Sequence, residues 1–235
     1  QAVEERIQAL GANQLVITTG GTFFGRRAGA GAGISFDDND VAAIRDNVGG
    51  VLRISGVISN QASLIVGGVN WTSTIVGGHE DYLEVRNWKI ADGRNFTSDE
   101  LRGAAKVAVL GATVARELFG EDDPVGATVR IRNVPFTVLA VLEAKGQSGP
   151  GADQDDIVVT PITTARRRLF GGGNTKPNRV GSMVVQIDGE ENIATAQANI
   201  EDLLRVRRRV QPGERDSFAV NNMAEFIRAR AETQN

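Results

Sequence analysis

Apolar and polar positions follow two rhythms along this chain, and the switches between them predict its helices and strands. Val3, Ile7 and Leu10 recur at helical spacing, with Glu4, Glu5, Arg6 and Gln8 on other faces and Gly11 as a stop. Leu15-Val16-Ile17-Thr18-Thr19 reads as a strand. Asp37 or Asp38 caps a helix with Val41, Ile44 and Val48 on one face, ended by Gly49-Gly50. Val51 to Ser59 and Ala62 to Val66 read as two extended segments. Gly67-Gly68 makes a turn, and Val69 to Val76 is a β-rich run closed by Gly77-Gly78.

In the middle of the chain, Asp81-Tyr82-Leu83 forms a short helical turn, and Val85, Trp88 and Ile90 supply bulk. Asp92-Gly93 reads as a tight turn, because glycine tolerates positive φ. Thr97-Ser98-Asp99-Glu100 fits a capping box. Val107 to Leu110 is an uninterrupted apolar run, which suits a strand buried on both faces. Thr113 to Phe119 is helical, and Val129-Arg130-Ile131 is a strand. Phe136, Val138, Ala140 and Leu142 alternate with Thr137, Leu139 and Val141, so both faces of that strand are expected to be largely buried. Ile157 to Thr160 is a strand before Pro161, and Thr163 or Thr164 caps a helix ending at Phe170.

Gly171 to Asn178 is loop-like and marks a domain boundary. Beyond it, Ser182 to Ile187 is a strand, and Glu190 to Arg209 is the longest helix, with Ile193, Ala196, Ile200, Leu203 and Leu204 on one side. Ser217 to Val220 is a strand, and Asn221 or Asn222 caps a last helix through Met223, Phe226 and Ile227. Each end of the chain therefore yields strand–helix–strand. The expected architecture is α+β: residues 1–78 and 179–235 pair as a split βαβ sheet, and 79–178 form an inserted mixed α/β subdomain.

Composition narrows the function classes. The chain has 235 residues, of which 41% are hydrophobic and 23% charged, enough to bury a core. A net charge of −3 gives no general attraction to nucleic acid or anionic lipid. Zero cysteines exclude disulfides, thiolate metal sites and cysteine nucleophiles. No apolar run approaches the ~20 residues of a membrane span. The helical pattern that starts at Gln1 reads either as a frayed terminal helix or as the outer end of a transmembrane helix.

Candidate chemistry is sparse. The glycine-rich stretch from Gly20 to Gly33 lacks Gly-Lys-Ser/Thr and does not run into a helix, so it reads as a loop rather than a phosphate cradle. Within it Phe23 and Phe24 either tuck onto the body, the favoured reading, or contact a partner. His79 is the sole histidine and reads as a solvated loop residue without metal-ligand company. Asp153, Asp155 and Asp156 lack EF-hand spacing and read as a solvated loop. Asp37, Asp38 and Asp40 are helix N-terminal charges. Arg166-Arg167-Arg168 and the basic run Arg205 to Arg209 read as wet helix faces, since stacking aromatics are missing nearby. No nucleophile elbow, His-Glu-x-x-His or Walker lysine occurs. The expectation is no catalytic residue, no cofactor, no metal and no nucleic acid.

The run D-Y-L-E-V-R-N-W-K-I-A-D-G-R-N-F at 81–96, then A-A-K-V-A-V-L-G-A-T-V-A-R-E-L-F-G at 104–120 and D-P-V-G at 123–126, resembles the periplasmic core domain of MacB-type ABC transporter permeases. V-P-F-T-V-L-A-V-L-E at 134–143 and D-D-I-V-V-T-P-I-T-T-A-R-R-R-L-F-G at 155–171 extend the likeness, which is strongest from Trp71 to Gly171. The resemblance implies an extracytoplasmic domain between the first two transmembrane helices of an inner-membrane permease. Residues 1–78 with 179–235 would be its porter subdomain and 79–178 its sabre subdomain. It also implies a non-catalytic role: helix motion driven by a separate cytoplasmic ATPase is passed outward, exporting antibiotics, peptides or lipid-linked molecules. The implied partners are a second permease copy or a related permease, the ATPase domain or subunit, and a periplasmic adaptor. A ligand-binding sensor module would instead need an apolar pocket with convergent polar groups. An unrecognised hydrolase would need paired, perturbed carboxylates.

Overall fold

The computed structural model describes residues 13–19, 35–147, 152–172 and 175–233. The expected first helix through Val3, Ile7 and Leu10, and the loop bearing Phe23 and Phe24, lie outside the described residues. In chain order the strands are β1 (Gln14–Thr19), β2 (Phe36–Asp37), β3 (Val51–Val66), β4 (Val69–Gly78), β5 (Ile90–Gly93), β6 (Val107–Leu110), β7 (Thr128–Ile131), β8 (Val134–Leu142), β9 (Ile157–Pro161), β10 (Arg179–Val180), β11 (Ser182–Ile187) and β12 (Phe218–Asn222). The helices are α1 (Asp38–Asn47), α2 (Tyr82–Val85), α3 (Ser98–Arg102), α4 (Ala112–Phe119), α5 (Ile162–Thr164), α6 (Ile193–Arg207) and α7 (Met223–Thr233). A π-helical turn, Ala165–Leu169, continues α5, and a 3₁₀ turn, Glu190–Asn192, leads into α6.

The chain divides into two compact units. One holds the residues up to Gly56, Glu84–Asn87, and Asn178 onward; the other holds Val57–Leu83 and Trp88–Pro177. The first unit is built on a sheet in the order β12-β1-β11-β3, the last contributing its leading residues. The two strand–helix–strand halves thus interleave, as the terminal patterns predict. Asp37 rather than Asp38 is the cap of α1: its carboxylate accepts from Asp40 N at 3.0 Å, and Asp40 returns the bond to Asp37 N at 3.0 Å. Helix α6 buries Ile193, Ala196, Ile200 and Leu204, whereas Leu203 is half-buried.

In the second unit the strand pairing closes on itself. The remainder of β3 pairs with β4, β4 with β9 in parallel, β9 with β6, β6 with β8 in parallel, β8 with β7, and β7 returns to β3. Leu64, Ile75, Leu110, Val129, Phe136 and Val158 belong to the core of this unit, together with Val114 and Leu118 of α4 and Leu169. β6 is buried at every position, as its apolar run predicts, and it has a partner strand on each edge. β8 is more one-sided than expected: Phe136, Val138, Ala140 and Leu142 are buried, Leu139 and Val141 half-buried, and Thr137 exposed. The β7–β8 turn places Arg132 (φ 48°) and Asn133 (φ 64°) in the left-handed region. Arg132 is held there by its bond to Leu169 O at 2.7 Å and its stacking 5.1 Å from the Phe170 ring centroid.

Four expectations are corrected. Val51 to Val66 is one strand, not two segments, because the exposed Asn60 and Gln61 stay in register with Ile75 and Thr74, and Gln61 Nε2 donates to Thr74 Oγ1 at 2.7 Å. Residues 57–78, expected with the terminal halves, belong to the second unit, since this hairpin continues through β4 into the pairing with β9. Asp92-Gly93 ends a strand rather than forming a tight turn. Gly93 follows the register shift between Ile90 and Asp92 and is needed there because φ is +89° and a Cβ would lie 2.0 Å from Leu139 O. Thr163 and Thr164 do not cap α5, whose N-cap is Pro161; their hydroxyls instead donate to Leu101 O and, at 2.6 Å, to Ala105 O.

Candidate functional site

The acidic tract changes meaning once its partners are seen. Asp155 is 5% exposed, and its two carboxylate oxygens accept from Lys145 N at 2.7 Å and Gly146 N at 2.9 Å. Asp153 accepts from Thr113 Oγ1 at 2.6 Å with one oxygen and from Asp155 N at 2.9 Å with the other. Asp156 Oδ1 accepts from Trp71 Nε1 at 2.9 Å and from Ser73 Oγ at 2.7 Å. The solvated-loop reading fails for the buried Asp155 and the half-buried Asp156, whereas Asp153 is exposed as expected; all three carboxylates nevertheless staple the loop before β9, to α4, to the end of β8 and to β4. Charge-assisted bonds from two backbone N–H groups offset the burial of Asp155.

Arg166 is buried as well, against the wet-face expectation, whereas Arg167 and Arg168 are exposed. Arg166 falls on the buried face with Ile162, Ala165 and Leu169, at positions i+4, i, i+3 and i+7 of one helical stripe. His79 is half-buried at the end of β4, where its carbonyl accepts from Tyr82 N at 3.0 Å and starts α2. The second basic run is tied to the first unit. Arg205 pairs with Asp216 at 2.9 Å, which raises its pKa, and also with Glu201 and Asp202. Arg207 pairs with Asp40 of α1 at 2.8 Å. Arg208 lies 4.4 Å over the Phe36 ring, and burial lowers its pKa against the opposing charges of Asp40 and Asp37. These arginines act as packing cations. Among the described residues no group of three or more His, Asp or Glu side chains is placed to hold a metal ion.

A further arrangement of polar side chains lies at one end of the first unit's sheet. β1 and β12 run antiparallel in register from Leu15↔Asn222 to Thr19↔Phe218. The chain therefore enters β1 and leaves β12 at the same end. Asn221 Nδ2 donates to Val16 O at 3.2 Å, and Asn222 Oδ1 accepts from Ala224 N at 3.0 Å, which caps α7 where it starts. Gln14, the first residue of β1, is 4% exposed, and its Oε1 accepts from Arg86 Nη1 at 3.0 Å. Its register partner is Gln186 of β11, which accepts from Arg53 Nη1 of β3 at 3.2 Å, and Arg53 Nε forms an ion pair with Glu84. Local pattern could not reveal this cluster, since Arg86 and Gln14 are 72 positions apart. Among the described residues no helix is long and apolar enough to cross a membrane.

Known structures share this fold. The periplasmic region of MacB from Actinobacillus actinomycetemcomitans matches with a TM-score of 0.77 and 24% identity, over 99% of this chain and 98% of that one. The extracellular domain of the transporter YknZ from Gram-positive bacteria matches with a TM-score of 0.69 and 18% identity, over 89% and 100% of the two chains. At the level of sequence, residues 1–203 match the MacB-like periplasmic core domain. The macrolide export ATP-binding/permease protein MacB of Chlorobium phaeobacteroides is 35% identical over 233 residues, which are 99% of this chain and 34% of that protein. MacB of Rhodospirillum rubrum is 36% identical over 236 residues, 100% of this chain and 34% of its own length. The chain belongs to the MacB-like periplasmic core domain family. It spans about a third of the length of these relatives.

Proposed function

We propose that this chain is the extracytoplasmic domain of an ABC-type export permease, and that it works as a mechanical relay without a reaction of its own. Its relatives are ATP-binding/permease proteins, so ATP would be hydrolysed on a cytoplasmic part and the resulting motion carried into this domain. The observation that supports the relay most directly is the pairing of β1 with β12, in register from Leu15↔Asn222. The start of β1 and the end of β12 are thereby side by side, as two neighbouring membrane helices require. A ladder of backbone hydrogen bonds joins them, so a displacement of one is carried by the other rather than absorbed between them.

On this reading the domain faces outward from the inner membrane, pairs with a second permease copy and meets a periplasmic adaptor. Macrolides, the cargo named for the relatives, are the first substrates to try, with peptides and lipid-linked molecules beside them. The test uses the full-length transporter with flexible Gly-Ser linkers inserted before Gln14 and after Thr233, which decouple motion while leaving the domain folded. ATP-driven erythromycin uptake into inside-out vesicles should fall to background while ATP hydrolysis continues. Undiminished uptake overturns the proposal.

A further inference from the structure

We propose that Glu84–Asn87 is a strut that takes up displacement of β1 and hands it to the chain that follows, with Arg86 as its positioning residue; this rests on the mechanical reading above. The segment stands out in the fold. Leu83 before it and Trp88 after it belong to the second unit, yet these residues cluster with the first. Their grip is polar and directional. Arg86 Nη1 holds the buried Oε1 of Gln14 at 3.0 Å, and Glu84 holds Arg53, which in turn donates to Gln186 at 3.2 Å. Gln14 and Gln186 are register partners, so the segment is bonded across β1, β11 and β3.

The location matters as much as the bonds. Gln14 directly precedes Leu15, the partner of the last residue of β12, so the grip is at the end where the chain enters and leaves the sheet. A load on the incoming segment meets Gln14 first. Charge-assisted, oriented hydrogen bonds transmit such a load in register, whereas an apolar contact would permit sliding. The segment is also built to stay in one conformation. Val85 is fully buried, and Asn87, at φ +55°, closes the turn with its N–H on Glu84 O at 3.1 Å.

A variant pair in the full-length transporter tests the strut. Gln14→Cys with Arg86→Cys, in a domain that has no cysteine of its own, removes the native bond and accepts a short bis-methanethiosulfonate bridge that reductant cleaves. Erythromycin uptake by inside-out vesicles should drop by about tenfold in the reduced pair and in Arg86→Met, the size of a typical coupling contact. ATP hydrolysis and protease resistance should stay at wild-type levels. Bridging the cysteines should restore uptake, a rescue that a role in stability alone does not predict. Full uptake in the reduced pair overturns the strut, and so does loss of uptake on bridging, which would mean that the segment must let go. If the Gly-Ser linkers abolish uptake while the strut variants do not, only the strut falls. If the linkers have no effect, the mechanical reading falls and the strut with it.

Discussion

Replacing Asp155 and Asp156 by asparagine should have very different consequences, because the two carboxylates are used differently. Asp155 spends both oxygens on backbone donors, Lys145 N at 2.7 Å and Gly146 N at 2.9 Å. In Asp155→Asn one oxygen becomes an NH₂ group facing a backbone N–H, so one charge-assisted bond is lost and a buried donor is orphaned. The lost bond and its orphaned donor are one event costing about 1–3 kcal/mol, and with the charge assistance also gone from the remaining bond the total is about 2–4 kcal/mol. Asp156 accepts both of its bonds, from Trp71 and Ser73, on Oδ1 alone. Asp156→Asn keeps that oxygen and should cost about 1 kcal/mol or less, whereas Asp156→Ala orphans both donors and should cost about 2–4 kcal/mol. For a chain of this size 1 kcal/mol moves the melting temperature by about 2–4 °C. Circular dichroism melts of the purified variants should thus show Asp155→Asn and Asp156→Ala lowered by about 4–16 °C, with Asp156→Asn within about 4 °C of wild type. Shifts below about 2 °C for all three would mean that these carboxylates are solvated after all, and the stapling argument would be refuted.

Two other outcomes follow from local geometry. A Cβ on Gly111 would lie 2.2 Å from Asp155 O and 2.9 Å from Ile157 Cγ2, so Gly111→Ala must push β9 away and should destabilise by about 1–3 kcal/mol in urea unfolding. Gly49→Ala, which meets nothing within 4 Å, serves as the neutral control. The Glu100 carboxyl is held below its ordinary pKa, chiefly by its hydrogen bond from Arg94. Because the folded value is depressed, its contribution to stability is present above the ordinary carboxylate range and disappears as pH falls through the folded value. Glu100→Gln should flatten that acid limb in unfolding curves measured from neutral to acidic pH, and an unchanged limb would contradict the assignment.

Much of the fold was legible locally. The Thr97–Glu100 capping box forms with Glu100 N on Thr97 Oγ1 at 3.2 Å and Thr97 N on Glu100 Oε1 at 3.0 Å, as four consecutive residues can specify. The apolar run of β6 and the stop at Gly49-Gly50 are similarly written in short-range pattern. Errors arose where a residue's partner is distant in the chain. Asp156 reads as solvated until Trp71, 85 positions away, is brought to it. Asn60 and Gln61 look like a break until β4 supplies their register.

Most elements in their order, the Thr97 cap and the family can be read from the amino-acid sequence, because helix and strand periods and turn chemistry act over a few neighbouring residues. The tertiary structure alone decided which polar side chains carry structural duty: the buried Asp155, the inward Arg166, and the Gln14–Arg86 contact at the sheet's end. Whether a charge is wet or buried depends on which surface folds over it, and that surface comes from another part of the chain. The same long-range pairing sets β1 beside β12, which is the geometry the proposed relay needs.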